Sequence, residues 1–213
     1  MFGIVVGLAA EARLARGLGC PTAIGGGGAA GARAASDRLI ADGVTGLISF
    51  GLAGGLAPDL MAGALVIAAD VVDGRGACWR ADPVMSARLG EPAGSLFAAT
   101  DIIATADAKR ALWSATGALA ADIESGAVAA AATKAALPFA ILRVVCDPAH
   151  RDLPPAAQTA LDAAGRIRPL RLLQSLTRHP GQIGDLIRLG QDAALARRAL
   201  LGQVGRIGPL GPH

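Results

Sequence analysis

Short apolar runs rich in β-branched residues recur along the chain, and each runs into glycine or an acidic residue before a helical stretch begins. Phe2–Val6 ends at Gly7, Ala23–Ile24 runs into Gly25–Gly28, and Thr45–Phe50 runs into GLAGGLAPDL. Ala64–Val72 and Phe139–Val145 read as two more strands. Between them, Glu11–Leu18 has helical character. AAGARAASDRLIADG reads as a helix stopped by Gly43, and an alanine-rich helix follows Glu124. Parallel strands need long crossovers, so this alternation predicts an α/β fold with a mixed, largely parallel central sheet. Asp73 to Leu96 reads as loop-rich, and GLAGGL as a tight turn. From Leu161 the pattern becomes amphipathic helix. The 213 residues therefore suit a single domain: a core over residues 1–160, with residues 161–213 as C-terminal helices packed on it.

Composition removes several classes. Hydrophobic residues make up 53% and charged ones 17%, which excludes a disordered chain; much of the apolar content is alanine, which raises hydropathy without implying a membrane span. The net charge is only +3, no Lys or Arg block stands out, aromatics are 3% and Tyr is absent, so nucleic acid is not an expected partner. Cys20, Cys78 and Cys146 lack metal-ligand spacing, and His150, His179 and His213 are scattered. No metal or cofactor is implied, and the odd cysteine count suits a reduced compartment. The start, MFGIVVGLAAEAR, has no basic segment, and its apolar run is too short for a signal peptide. The expected location is the cytoplasm.

Ligands in open α/β sheets bind outside the carboxyl ends of the strands. Four features fall there: Glu11, the GLAGGL stretch, the pair Asp122 and Glu124, and Asp147. Each has a plain alternative. Glu11 suits the first turn of a helix, Asp122 and Glu124 suit an N-terminus through capping and the macrodipole, and Asp147 before Pro148 suits a turn. Gly26, Gly28 and Gly31 match G-x-G-x-x-G, but no acidic partner follows at the distance a dinucleotide site needs. Their convergence says more than any one of them.

Three segments in order, GIVVGLAAEARL, SFGLAGGLAPDLMAGALVIAADVV and TGALAADIESGAVAAAATKAALPFAILRVVCD, resemble the nucleoside phosphorylase superfamily. The likeness is greater to the nucleosidases acting on methylthioadenosine and adenosylhomocysteine. It runs from about residue 2 to 150. The compact length, the LAAEARLA opening and the Arg-rich tail most resemble the hopanoid-associated phosphorylases. The resemblance implies a three-layer αβα nucleoside-phosphorylase-like fold. It also implies cleavage of an N-glycosidic bond, in that branch converting adenosylhopane to adenine and a ribosylated hopanoid. Methylthioadenosine/adenosylhomocysteine nucleosidase and purine nucleoside phosphorylase are the alternatives, and a nucleoside-binding protein without catalysis is a third.

The resemblance also assigns roles. Glu124 matches the glutamate that grips the ribose hydroxyls, with Ile123 where Met is commonest. Asp147 matches the acid that protonates purine N7, and it would need a raised pKa to do so near neutral pH. Glu11 matches the acid that orients water in hydrolytic members. Leu52, Ala53, Gly54, Asp122 and Cys146 would line the base and nucleophile pocket. Leu52 replaces a common Ser or Thr, which removes a hydroxyl and weakens the case for phosphate as co-substrate. From the residues themselves, Arg13, Arg33 and the amides of Gly25–Gly28 are the candidate phosphate contacts, with solvated surface arginine as the plain alternative. Cys146 is read as packing. A homodimer is implied. Residues 160–213 hold eight Arg against three Asp, which suits solvated helix faces or, alternatively, peripheral contact with an anionic membrane.

Overall fold

The computed structural model describes residues 1–155 and 183–211. β1 (Gly3–Val6) is fully buried and pairs in parallel with β2 (Thr22–Ile24) on one side and β3 (Leu47–Gly55) on the other. The linking segments are α1 (Ala9–Ala15), a 3₁₀ turn at Arg16–Leu18, and α2 (Ala29–Ala41). β9 (Phe139–Asp147) lies parallel to β3, in register from Leu47 against Phe139 to Ala53 against Val145. A bulge then brings Gly54 opposite Asp147. Beyond the end of β1, Gly54 and Gly55 pair antiparallel with Ala121 and Ala120 of β8 (Ala120–Asp122). The sheet continues through β7 (Ser95–Ala98), β5 (Asp70–Asp73) and β6 (Cys78–Arg80), while β4 (Leu65–Val66) pairs antiparallel with β9. Among the described residues five strand pairings are parallel and three antiparallel, which is the mixed, largely parallel sheet expected.

Alternation along the strands separates two apolar layers. Phe139, Ile141 and Val145 face α2 and α5 (Ser125–Lys134), with Leu39, Val128 and Ala132. Ala140, Leu142 and Val144 face α1, α3 (Pro83–Leu89) and α6 (Ile183–Ile207), with Leu89, Ala196 and Leu200. Gly126 lets α5 lie close to the sheet: a Cβ there would stand 2.6 Å from that of Ala98. α6 buries Ala196, Leu200 and Val204, and the Gln203 side chain donates to the Leu89 carbonyl at 2.6 Å. The Arg-rich stretch from Arg166 to Arg178 lies outside the described residues, as do His179, Pro180, Gly181 and His213.

The structure corrects several expectations. GLAGG is not a turn but the second half of β3, because small residues let the strand run between β9 and β8. Ala64–Val72 is not one strand; Ile67–Ala69 separates β4 from β5, which pair with different partners. Asp73 to Leu96 is not loop-rich. It contains β6, then α3, capped by the Asp82 carboxylate accepting from the Met85 N–H at 2.8 Å with Pro83 at the first helical position, then the start of β7. α4 (Ala106–Thr116) has no counterpart in the expected elements; Thr105 caps it, and Gly117 ends it at φ 67°. Among the described residues no helix is long and apolar enough to cross a membrane.

Candidate active site

A cavity of about 320 Å3 opens at the ends of β1, β3, β8 and β9. Glu11, Leu52, Ala53, Gly54, Asp122, Ile123, Glu124, Cys146 and Asp147 all line it, so the residues expected to serve catalysis, the ribose and the base pocket converge on one space. Leu8, Leu56, Ile102, Ile103, Leu153 and Leu189 make most of the remaining wall apolar. Of the expected phosphate contacts only Gly27 reaches it; Arg13 is exposed and Arg33 half-buried, and neither lines the cavity. The glycines of GGGG instead serve chain geometry. Gly26 and Gly27 both have φ 79°, and a Cβ on Gly25 would fall 2.8 Å from the Ala32 backbone, so these three glycines are needed where β2 turns tightly into α2.

Glu11 is held by backbone. Its Oε2 accepts from the N–H groups of Gly7 at 3.0 Å and Leu8 at 2.9 Å, and its Oε1 accepts from Leu52 N–H at 2.9 Å. The first two bonds are helix N-terminal chemistry, but the third reaches across to β3. Gly51 permits that approach: its φ is 149°, and a Cβ there would lie 2.5 Å from Glu11 Oε1.

Asp122 and Glu124 divide the work expected of an acidic helix start. Asp122 caps α5, its Oδ1 accepting from the N–H groups of Glu124 at 3.1 Å and Ser125 at 2.9 Å. Glu124 occupies the N-cap position without a side-chain capping bond and points into the site. Behind both lies Arg143, 1% exposed, with Nε 2.6 Å from Asp122 Oδ2 and Nη2 3.1 Å from Glu124 Oε2. Its Nη2 also donates to Ser49 Oγ at 2.8 Å. Burial works against the Arg143 charge, yet Asp122, Glu124 and Glu11 outweigh it and raise its pKa. Burial pushes Glu124 up to about 7; Arg143 opposes the rise, and Asp122 and Glu11 add to it.

Asp147, 5% exposed, ends β9. Its Oδ2 is 2.5 Å from the Nζ of Lys109 on α4, while its Oδ1 is buried and has no hydrogen-bond partner among the described residues. Burial raises the pKa of Asp147 above the usual carboxylate value, and Lys109 and Arg151 work against that rise. Cys146 is pushed up to about 12, by burial first and then by Asp147 and Glu11, which keeps it a thiol, and it packs against the apolar layer that holds Leu142 and Val144.

Sequence reasoning passed over Arg143 and Lys109. Arg143 had a signal, since a single cation inside the apolar run FAILRVV must find acidic partners if the strand is buried. Lys109 had none, because beside Arg110 it reads as a solvated charge on a helix.

Sheet order and the strand-end cavity together define an α/β fold with a ligand-sized space lined by carboxyl groups at its strand ends. The sequence profile of the phosphorylase superfamily matches residues 85–176, the stretch that contains Lys109, Glu124, Arg143 and Asp147. No curated protein is significantly similar to the chain in sequence. Among solved structures, the fold is similar to futalosine hydrolase of Helicobacter pylori, with a TM-score of 0.67 and 16% identity over 96% of this chain and 97% of that one. The 5′-methylthioadenosine/S-adenosylhomocysteine nucleosidase of the same organism, bound to butyl-thio-DADMe-Immucillin-A, gives 0.66 and 15% over 96% and 97%. The S-adenosylhomocysteine nucleosidase of Streptococcus pyogenes, bound to 5-methylthiotubericidin, gives 0.65 and 19% over 85% and 96%.

Proposed function

We propose that this chain is an enzyme cleaving the N-glycosidic bond of an adenosine-type nucleoside. The observation that carries the reading is the meeting of Glu124, Glu11 and Asp147 in one largely apolar cavity. An N-glycosidic bond breaks through an oxocarbenium-like state, so three tasks follow: hold the ribose, neutralise the departing base, and position the attacking group. Glu124 accepts from the ribose hydroxyls, and Ile123 packs against the sugar. Asp147 protonates N7, aided by burial that raises its pKa. Glu11 orients the attacking group, held rigid by its three backbone bonds.

Water is the attacking group in this reading. The amides of Gly7, Leu8 and Leu52, which would otherwise suit an anion, already serve the Glu11 carboxylate. Both cations of the site are ion-paired, Arg143 with Asp122 and Glu124, and Lys109 with Asp147. Among the described residues, a phosphate would therefore enter among carboxyl groups with no unpaired cation lining the cavity.

The finer reading names adenosylhopane as substrate and a ribosylated hopanoid as product. Its support is the resemblance of the sequence together with the apolar wall at Leu52, Ile102, Leu153 and Leu189, which suits an apolar 5′ group. Homodimerisation and a cytoplasmic site of action, peripheral to the membrane, belong to the same reading; α6 exposes Ile183, Ile187, Leu195 and Leu201. Incubating the protein with adenosine, methylthioadenosine, adenosylhomocysteine and adenosylhopane, each with and without phosphate, tests all of this by adenine release. Fastest release from adenosylhopane, independent of phosphate, is the expected result. Preference for methylthioadenosine would replace the substrate, a phosphate requirement would replace the nucleophile, and no adenine from any substrate would leave a binding protein.

A further inference from the structure

Lys109 is placed against the ordinary preferences of a lysine. It is the fourth residue of α4, near the positive end of the helix macrodipole, and only 1% of it is exposed. Its ammonium donates to Asp147 Oδ2 at 2.5 Å, to the Arg151 carbonyl at 2.9 Å and to the Pro148 carbonyl at 3.1 Å, which uses all three of its donors. A buried ion pair of this kind gives little net stability over apolar packing, so stability alone is a weak reason for it. The pair also borders the cavity, and the one buried polar atom it leaves without a partner among the described residues is Asp147 Oδ1.

We propose that Lys109 is a positioning residue for proton delivery: it anchors the Asp147 carboxyl at the cavity wall and balances the carboxylate left once the proton has gone. The proposal rests on the nucleosidase reading above. In the resting site Asp147 is an ion-paired carboxylate, so its proton enters from water as the base binds. As the C1′–N9 bond breaks, its electron pair goes to the base and N7 takes the proton from the Asp147 carboxyl. The base leaves as the neutral N7–H tautomer. The attacking water leaves its hydroxyl on C1′ and its other proton with the carboxyl groups of the site. Lys109 keeps its own protons throughout; its charge makes the deprotonated form of Asp147 cheaper to reach.

The test compares two leaving groups on wild type and Lys109→Met. For the adenosine-type nucleoside, kcat should fall about 10²–10³-fold, the range of a positioned acid, and the alkaline limb of its pH profile should move upward because Asp147 holds its proton more tightly. For 4-nitrophenyl riboside, whose nitrophenolate departs unprotonated, kcat should change less than about threefold. Equal losses on both substrates, or an unmoved alkaline limb, would make the pair merely structural and overturn the proposal. Should Lys109→Met fail to fold, Lys109→Gln, which keeps a donor but no charge, must give the same shift in the limb or the proposal fails. Failure of the wild type to release base from any nucleoside would instead remove the nucleosidase reading itself.

Discussion

Gly7 and Glu124 are in contact across the site: a Cβ added to Gly7 would fall 2.0 Å from Glu124 Oε1. The end of β1 thus sets how far the Glu124 carboxyl can reach, and a hydrogen at that position is part of the site. Gly7→Ala should therefore injure activity more than folding, since the atom displaced is the far end of a side chain. The expected outcome is a fall of about 10-fold or more in kcat/KM, with a stability change within about 1 kcal/mol by urea unfolding. A large loss of stability with normal activity would contradict it.

Much of this site was legible in the sequence because strand ends and acidic residues are local signals. Gly7, Glu11, Glu124 and Asp147 each follow or end an apolar run, and parallel strands bring such ends together. What was not legible depends on pairing between distant segments. GLAGG reads as a turn until β8 and β9 are known to flank it, since glycine content alone cannot distinguish a turn from a strand in close contact. The cap signals at Asp82–Pro83 and Thr105 were present and would have found α3 and α4. Arg143 shares the α5-facing positions of β9 with Phe139, Ile141 and Val145, so its neighbours on that face disguised it as core.

Glu124 carries a pH prediction. In the proposed function its carboxylate is the form that would accept two ribose hydroxyls, and its pKa in the fold is about 7. The kcat/KM of the free enzyme should therefore fall as pH drops through about 7, a limb that Glu124→Gln flattens at a lower plateau. An acid limb unchanged in the variant would assign it to another group.

The same shift fixes a stability trend. The folded pKa of Glu124 lies above its ordinary value of 4.5, so the unfolded chain gives up this proton first as pH rises. Stability from this group is complete below 4.5 and is lost as pH rises through about 7. Relative to Glu124→Gln, wild type should lose on the order of 3 kcal/mol between pH 4 and 8. Urea midpoints of both proteins across that range measure it, and a gap that does not change with pH would oppose it.

Arg143 should behave as a structural cation under two acids. Arg143→Met leaves Asp122 and Glu124 buried without their counter-charge, and loss of one partner from a buried pair costs about 3–5 kcal/mol. Because protonation of Glu124 relieves part of that burden, the loss should shrink below pH 7, the reverse of ordinary acid sensitivity. Equal destabilisation at pH 5 and pH 8 would argue that packing rather than charge makes Arg143 necessary.

Asp147 separates binding from chemistry. Asp147→Asn keeps the shape and the hydrogen-bonding capacity of the side chain but cannot release a proton to N7. Nucleoside affinity should stay within about 10-fold of wild type while kcat falls about 10²–10⁴-fold. The neighbouring Cys146 offers the control: its thiol, pushed up to about 12, takes no part in proton transfer, so Cys146→Ala should keep kcat within about threefold. Full turnover in Asp147→Asn would remove it from the chemistry and assign proton delivery to another group. Loss of affinity and turnover together would make its role that of a base-binding acceptor. Stopped-flow binding of an adenine nucleoside beside steady-state adenine release distinguishes these outcomes.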